Sequence, residues 1–403
     1  MYILTKTNKK IIISIIIFGI IMFLCEFILH FFTKNTQLLN NFFINLYIST
    51  IFFTTISMGT LLFLGIQNVS KSGWSIIINP IMEKISSFIP YGSVIIFLII
   101  LLNINNSLHI FNWMDYDICN IKSKKYDEII CNKYLFLNKP FFLIRNIIYL
   151  LGCNYFYIKI KKKLRILNTS FSKKKYNNLN LISLFYIIFF SISSILMSWD
   201  WIMSLNPHWA STLFGWYFFS SFMTSSISMI TIFSIFLNRK YNFFLFNKSH
   251  LHDLGTYLFS SSLLWSYFWY SQFLLYWYGN IPEEIIYFFK REKLYYGIHF
   301  WILIPNFIIP FLFLISSKNK TNYKVVLFVS FNILIGHYID IYNLIAPELI
   351  EKLTFDLYQV SPICLIGGLF FYILLHNFNN KKINNTTNHP FFKESKNYNN
   401  TNL

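Results

Sequence analysis

The chain has 403 residues, of which 55% are hydrophobic and 12% charged, with a formal net charge of +18. Soluble domains carry about 25% charged residues, so this composition excludes an ordinary globular enzyme and describes a polytopic membrane protein. The abundance of Ile, Asn, Lys, Phe and Tyr suggests AT-rich coding, which inflates the basic and aromatic counts, and the positive charge reads as membrane topology rather than nucleic-acid binding.

Crossing a bilayer takes about 20 apolar residues. About ten stretches are long enough: 11–32, 44–67, 88–110, 137–158, 181–199, 210–237, 254–278, 296–316, 324–345 and 358–377. The ten-residue alternation of a β-barrel is absent. An all-α membrane protein is expected, because helices satisfy their own backbone within lipid. The first run lacks a small-residue cleavage site and reads as a span, not a signal peptide. Residues 1–378 then form a single membrane domain, and 379–403, rich in Asn and Lys, a disordered polar cytoplasmic tail.

Lys and Arg set the orientation. Lys6, Lys9 and Lys10, eight basic residues between 159 and 175, the loops 239–248 and 318–324, and the tail all fall on one side. The positive-inside rule makes that side, with both termini, cytoplasmic. The acidic residues Asp115, Asp117, Asp127, Glu128, Asp200, Glu283, Glu284, Glu292, Glu348, Glu351 and Asp356 fall on or near the opposite, outer face.

Taken in chain order, Glu26 and His30 are four apart on one face of the first span, where they extend a polar path or simply pair. The five cysteines (Cys25, Cys119, Cys131, Cys153 and Cys364) show no C-x-x-C or ferredoxin-like spacing. Cys119 and Cys131 share one loop, as a disulfide in an oxidising compartment or as a free pair. Arg145 lies inside the outer half of the fourth span, and a buried arginine needs a counter-charge. Asp115 and Asp200 are the candidate partners, with an Arg145–Asp115 ion pair as the expectation.

The stretch from Met197 to Gly215 gathers Trp199, Asp200, Trp201, His208, Trp209 and the Asn206-Pro207 turn at one membrane edge. The tryptophans suit an interfacial aromatic belt and Asn-Pro a helix end. Asp200 and His208 point further, since ionisable groups at the edge of the bilayer core mark an ion or substrate path. At the cytoplasmic start of the seventh span, His252 and Asp253 either cap the helix or form an entrance. Gln272, at lipid depth, needs a polar partner, and Glu283 and Glu284 follow at the outer end.

In the ninth span, His337 and Asp340 are three apart on one face. An imidazole beside a carboxylate suits proton relay. The candidate proton path therefore comprises Asp200, His208, His337 and Asp340 on the outer side and His252 and Asp253 on the inner, with Gln272, Glu283 and Glu284. Haem ligation is the rival for His30, His109, His299 and His337, but their spacing selects no axial pair. Metal-site, P-loop and dinucleotide signatures are absent, so no catalytic, cofactor-binding or metal residues are expected.

Five segments in the same order resemble one family: Y-L-F-L-N-K-P-F-F-L-I-R (134–145), S-W-D-W-I-M-S-L-N-P-H-W-A-S-T-L-F-G (198–215), H-L-H-D-L-G (250–255), S-Q-F-L-L-Y-W-Y-G-N-I-P-E-E (271–284) and G-H-Y-I-D-I-Y-N-L-I-A-P (336–347). They are similar to the second of the two polysulfide-reductase-like (NrfD-like) membrane subunits of alternative complex III, a bacterial quinol:cytochrome c oxidoreductase. The resemblance runs from about 44 to 370; Lys71-Ser72-Gly73-Trp74 and Asn79-Pro80 depart from the family's Gly- and Arg-rich loop.

The resemblance implies two four-helix bundles, roughly 44–200 and 210–345, flanked by helices 11–32 and 358–377. It implies a non-redox subunit of the bacterial inner membrane, not catalytic alone, that supports quinol oxidation and proton translocation. Its implied partners are a homologous NrfD-like subunit, a periplasmic iron–sulfur subunit, haem c subunits, small membrane subunits, quinol and lipid, but no nucleic acid. Iron–sulfur clusters and haem c belong to those partners and none is bound by this chain; quinone or quinol binds either this chain or only its homologous partner. Asp200, His208, Arg145, His252, Asp253, Gln272, Glu283, Glu284, His337 and Asp340 match family positions. A purely structural docking subunit and a secondary transporter are the alternatives.

Overall fold

The computed structural model describes residues 6–33, 36–105, 108–115, 118–120, 122–123, 126–241, 246–295, 297–350, 357–379 and 389–399. Among them the chain is helical, with no strand. The first half comprises α1 (Lys6–Thr33), α2 (Thr36–Val69), α3 (Asn79–Ile85), α4 (Ile89–Ile104), α5 (Glu128–Asn132), α6 (Lys139–Thr169) and α7 (Lys173–Trp201). The second comprises α8 (Phe214–Tyr241), α9 (Lys248–Gly279), α10 (Pro282–Tyr295), α11 (Ile298–Trp301), α12 (Ile309–Leu314), α13 (Ser317–Lys320), α14 (Tyr323–Leu349), α15 (Leu357–Asn379) and α16 (Phe392–Lys396).

Among the described residues, eight helices are long and apolar enough to cross a membrane. The number rises to nine if the bent pair Glu284–Leu294 and Ile298–Leu314 counts as one span. The chain is thus a multi-pass helical membrane protein. Expected span 254–278 accounts for part of the shortfall from ten. It lies in α9, which is long, but its Ser, Tyr, Trp and Gln residues leave it short of the apolar threshold. Expected span 296–316 is filled by the helical segment Ile298–Leu314, which follows an 88° bend from Glu284–Leu294 and is irregular within. Pro305 and Pro310 each remove a backbone donor, and a π-helical turn, Ile304–Ile308, lies between α11 and α12. Expected span 88–110 ends early, at Ile104. There the Asn103 side chain accepts from the backbone of Ile110 (2.8 Å) and turns the chain.

α2 is the most enclosed of these spans and packs on α4, α7, α8 and α15. Gly59 lets α2 and α8 approach: a side chain there would collide with the Ser226 hydroxyl and lie 2.9 Å from the Phe222 carbonyl. Ser226 seals the crossing by donating to Ile56 O at 2.9 Å. Other buried hydroxyls, including Thr50, Ser57 and Thr60 on α2 and Thr224, Ser228, Thr231 and Ser234 on α8, donate to carbonyls one turn earlier in their own helices. Their polar atoms are satisfied, and their small size allows the close packing that lipid cannot drive by hydrophobicity.

The two ends differ. One holds a loop cross-linked by a Cys119–Cys131 disulfide (Cα–Cα 5.4 Å), where Asp127 caps α5 by accepting from Ile129 N and Ile130 N. The other holds part of the tail expected to be disordered. Residues 389–399 dock there through α16: Ser395 Oγ donates to Trp74 O (2.8 Å) and accepts from Ile77 N (3.3 Å). Asn247 Nδ2 donates to Tyr398 O at 2.7 Å. The aromatic residues Phe391 and Tyr398 and the buried His389 anchor a segment whose overall composition is polar.

Candidate functional site

The fourth-span arginine finds its partner on the neighbouring helix. Asn138 caps α6 and Pro140 occupies its first turn, which sets Arg145 one turn further in. Arg145 Nε donates to Asp200 Oδ2 (2.9 Å) and Nη2 to Asp200 Oδ1 (2.6 Å), a bidentate bond between buried groups. Tyr149 OH donates to the same carboxylate (3.0 Å), Arg145 Nη1 donates to Phe136 O (3.0 Å), and the guanidinium lies 3.9 Å from the Phe136 ring centroid. The expected Arg145–Asp115 pair is therefore corrected: Asp200, on the helix packed against α6, takes the arginine. Next to Asp200, Trp201 Nε1 donates to Asn146 Oδ1 (2.6 Å), and Tyr47 OH donates to Trp201 O (2.9 Å).

A second cluster surrounds Asp340 on α14. Tyr217 of α8 donates to Asp340 Oδ1, and Trp265 Nε1 of α9 donates to Oδ2 at 3.3 Å. His337, one turn away, places Nδ1 4.0 Å from Asp340 Oδ2 and 3.0 Å from Ser221 Oγ, with Trp265 edge-on to its ring. All these side chains are buried. Among the described residues, no Lys or Arg lies within ion-pair distance of Asp340. Three neighbouring groups are buried with atoms that lack a protein partner: His337 Nε2, the Asn306 amide and the Asn343 amide. Asn306 sits in the π-helical turn against Gly336, where any side chain on Gly336 would strike it. Gly336, Asp340 and Asn343 recur at helical spacing on one face of α14, forming a polar track.

At the disulfide end, His208 is half exposed and pairs with Asp127 (2.8 Å). Lys133 donates to Pro207 O (2.5 Å); burial pulls its ammonium below its ordinary pKa, against the raising influence of Asp127. Gln272 accepts from Ser211 Oγ (2.8 Å), which gives the expected polar partner. Glu284 lies in the first turn of α10, half-buried. An apolar cavity of about 360 Å³, lined by Lys133, Phe136, Trp199, Met203, Trp209 and Ser211, opens at this end. Phe136 separates it from Arg145.

Sequence reasoning missed a second buried arginine. Arg291 of α10 pairs with Glu348 (2.9 Å), donates to Leu344 O (2.9 Å) and lies over the Tyr287 ring. Lys290 and Asn206 also reach Glu348, both at 3.3 Å. The pattern Tyr287-Phe288-x-x-Arg291, one face of a short amphipathic helix, carried the signal, but Arg291 reads as a loop charge when only apolar length is weighed.

At the opposite end, His252 Nδ1 lies 3.4 Å from Asp253 Oδ1 and Nε2 lies 3.2 Å from Ser317 Oγ, while Tyr398 donates to Asp253 Oδ2 (2.6 Å). Neither residue is the helix cap: Asn247 and His250 form a reciprocal capping box for α9. The residues expected to form a path thus divide into His252 and Asp253 at the end with the docked tail, the buried His337–Asp340 cluster, the locked Asp200, and His208, Gln272 and Glu284 at the disulfide end. Asp117, Glu351 and Asp356 lie outside the described residues, as do the side chains of Glu26, His30 and Glu283.

Fold and site together define a multi-pass helical membrane protein with a buried aspartate–histidine cluster and a separate locked ion pair. Comparison with models of known protein families gave no match, and comparison with curated proteins gave none either.

Proposed function

We propose that this chain is the second polysulfide-reductase-like membrane subunit of a quinol:cytochrome c oxidoreductase of the alternative complex III type. It is a non-redox subunit of the bacterial inner membrane that relays protons for quinol oxidation carried out with its partners. The observation that carries the reading is the His337–Asp340–Tyr217–Trp265 cluster. A carboxyl within the bilayer and lacking a fixed cation is costly to keep charged, and its natural counter-charge is a proton. Beside it, His337 Nε2 and the Asn306 and Asn343 amides supply hydrogen-bonding atoms not used by the protein.

In this reading α2, α4, α6 and α7 form one four-helix bundle. α8, α9, the irregular α11–α12 segment and α14 form the other, with α1 and α15 flanking, for about ten spans in all. The packing of α4 on α2 and α6, α7 on α6 and α2, and α14 on α8 supports the grouping. Both termini are cytoplasmic, and the disulfide end is periplasmic, which suits an oxidised cysteine pair. Its partners are the homologous membrane subunit, the iron–sulfur subunit, the haem c subunits and the small membrane subunits, and the iron–sulfur clusters and haem c are held among those partners. Quinone or quinol binds this chain or its homologous partner, and the apolar cavity beside Trp199 and Trp209 has the shape and lining to take a quinone ring or a lipid chain.

Protons enter at His252 and Asp253, pass the His337–Asp340 cluster, and leave towards His208, Gln272, Glu283 and Glu284; Asp200 stays bound to Arg145. A purely docking role is the second reading, favoured by that bidentate pair. A secondary transporter is favoured by the sharp bend between α10 and α11, but such transporters break helices in both halves.

The test is isolation of the chain from native membranes in mild detergent, followed by mass spectrometry, an optical spectrum and a quinol:cytochrome c reductase assay. Co-isolation with iron–sulfur and c-haem proteins and quinol turnover is expected. A colourless, solitary protein from intact membranes would overturn the proposal.

A further inference from the structure

The two halves of the chain repeat each other. On α2, Ser49-Thr50 is followed by Thr54-Thr55-Ile56-Ser57-Met58 and then Thr60. On α8, Ser220-Ser221 is followed at the same spacing by Ser225-Ser226-Ile227-Ser228-Met229 and then Thr231. A second match relates α7 to α14. Asp200 precedes Pro207, and Asp340 precedes Pro347, in the same Asp-x6-Pro pattern, with Ile195 and Ile335 at matching places before them.

The matched helices also pack alike, α2 against α7 and α8 against α14. In each pair a tyrosine near the start of the first helix bonds at the level of the aspartate: Tyr47 to Trp201 O and Tyr217 to Asp340. The tyrosines are one residue out of register in the repeat, which leaves their targets one residue apart as well.

Asp200 and Asp340 therefore occupy equivalent places with different neighbours. Asp200 receives two guanidinium bonds and a tyrosine hydroxyl, so its negative charge is met by a positive charge that cannot leave. Asp340 receives two neutral donors, Tyr217 and Trp265, and the nearest basic group is the His337 ring at 4.0 Å.

We infer that the duplication has divided one ancestral role: Asp200 is the fixed anchor of the first half, and Asp340 alone of the pair takes up and releases a proton. Once a side-chain movement closes the 4.0 Å between Asp340 Oδ2 and His337 Nδ1, a proton passed from the carboxyl to the ring leaves a carboxylate beside an imidazolium, with no net change in charge. His337 Nε2, which has no hydrogen-bond partner among the described residues, is the atom from which a proton then departs. The inference rests on the proposed proton relay and adds which of two equivalent carboxyls works.

Infrared difference spectroscopy of the purified chain in lipid, titrated with acid and base and repeated in D2O, tests this directly. The wild type should show one buried, titrating protonated-carboxyl band that shifts in D2O. Asp340→Asn should abolish it, and Asp200→Asn should leave it unchanged. Arg145→Gln should add a second band, because Asp200 then loses its cation. If Asp340→Asn fails to fold, Asp340→Glu serves instead and should move the band rather than remove it. The inference is overturned by a wild type with no such band, by a band that survives Asp340→Asn, or by Arg145→Gln adding none. The spectrum needs no redox partner, so these outcomes are separate from the isolation test: the division of roles can stand if the respiratory reading fails.

Discussion

Removing the Asp200 carboxylate alone should be among the most damaging single changes in this chain. Asp200→Ala deletes the acceptor of two charge-assisted bonds, at 2.6 and 2.9 Å, and of the Tyr149 hydroxyl at 3.0 Å. Arg145 keeps only its bond to Phe136 O and its contacts with the Phe136, Phe141 and Phe142 rings, none of which carries a negative charge. Stranding one member of a buried pair costs about 3–5 kcal/mol. The orphaned tyrosine adds about 1–3 kcal/mol. Replacing both charges, as in Arg145→Met with Asp200→Leu, should recover most of the first loss, because apolar replacement of a buried pair is often neutral. The assay is reversible unfolding of the purified chain in mixed micelles for both single variants and the double variant. A double variant as unstable as the sum of the singles would refute the argument, since the two charges would then not be coupled.

Gly59→Val should push α2 from α8 against the Phe222 carbonyl, costing about 1–3 kcal/mol or more by overpacking. Fluorescence-detected size exclusion should show loss of the monodisperse peak, while Gly279→Ala, whose nearest contact is Ile281 at 4.0 Å, stays normal. Breaking the Cys119–Cys131 link, which closes a separation of 12 residues, should cost about 3 kcal/mol by loop closure and speed tryptic cleavage at Lys122 or Lys133; an unchanged rate would contradict it. The docked tail should also loosen in acid. Burial lowers the pKa of both His250 and His389 to about 4. Each is therefore held neutral when docked and takes a proton more readily when released, so docking is strongest above about pH 6.5 and weakens as pH falls towards 4. Hydrogen exchange of residues 389–399 across that range measures it, and pH-independent protection would count against the argument.

Much of the fold was legible because apolar length is a direct physical requirement of lipid, and α2, α8 and α14 match their expected spans closely, whereas α6 and α7 run well beyond theirs into the Lys-rich connection between them. α9 is less apolar than the other spans because Ser, Tyr and Trp residues lie on both of its faces, Ser261, Ser262 and Trp265 buried and Tyr267, Tyr270 and Tyr278 exposed. The irregular turn between α11 and α12 was readable from Pro305 and Pro310 once backbone donors are counted. His337 and Asp340 were legible as a pair because three residues is a helical contact distance. The Arg145 partner was not, since Asp115 and Asp200 approach the same membrane edge and only the packing of α6 on α7 separates them. Tyr217, Trp265 and Asn306 reach the cluster across helices, and no local pattern marks them. The docked tail was hidden by averaging: a few aromatic residues anchor a segment that is mostly Asn and Lys.

The most direct test of the proposed role is proton release per electron by the assembled complex in sealed liposomes, compared between wild type and Asp340→Asn. Asp340→Asn should assemble and oxidise quinol with fewer protons moved per electron, whereas Asp200→Asn that assembles should keep the wild-type ratio. An assembled Asp340→Asn complex with an unchanged ratio would contradict the proposal.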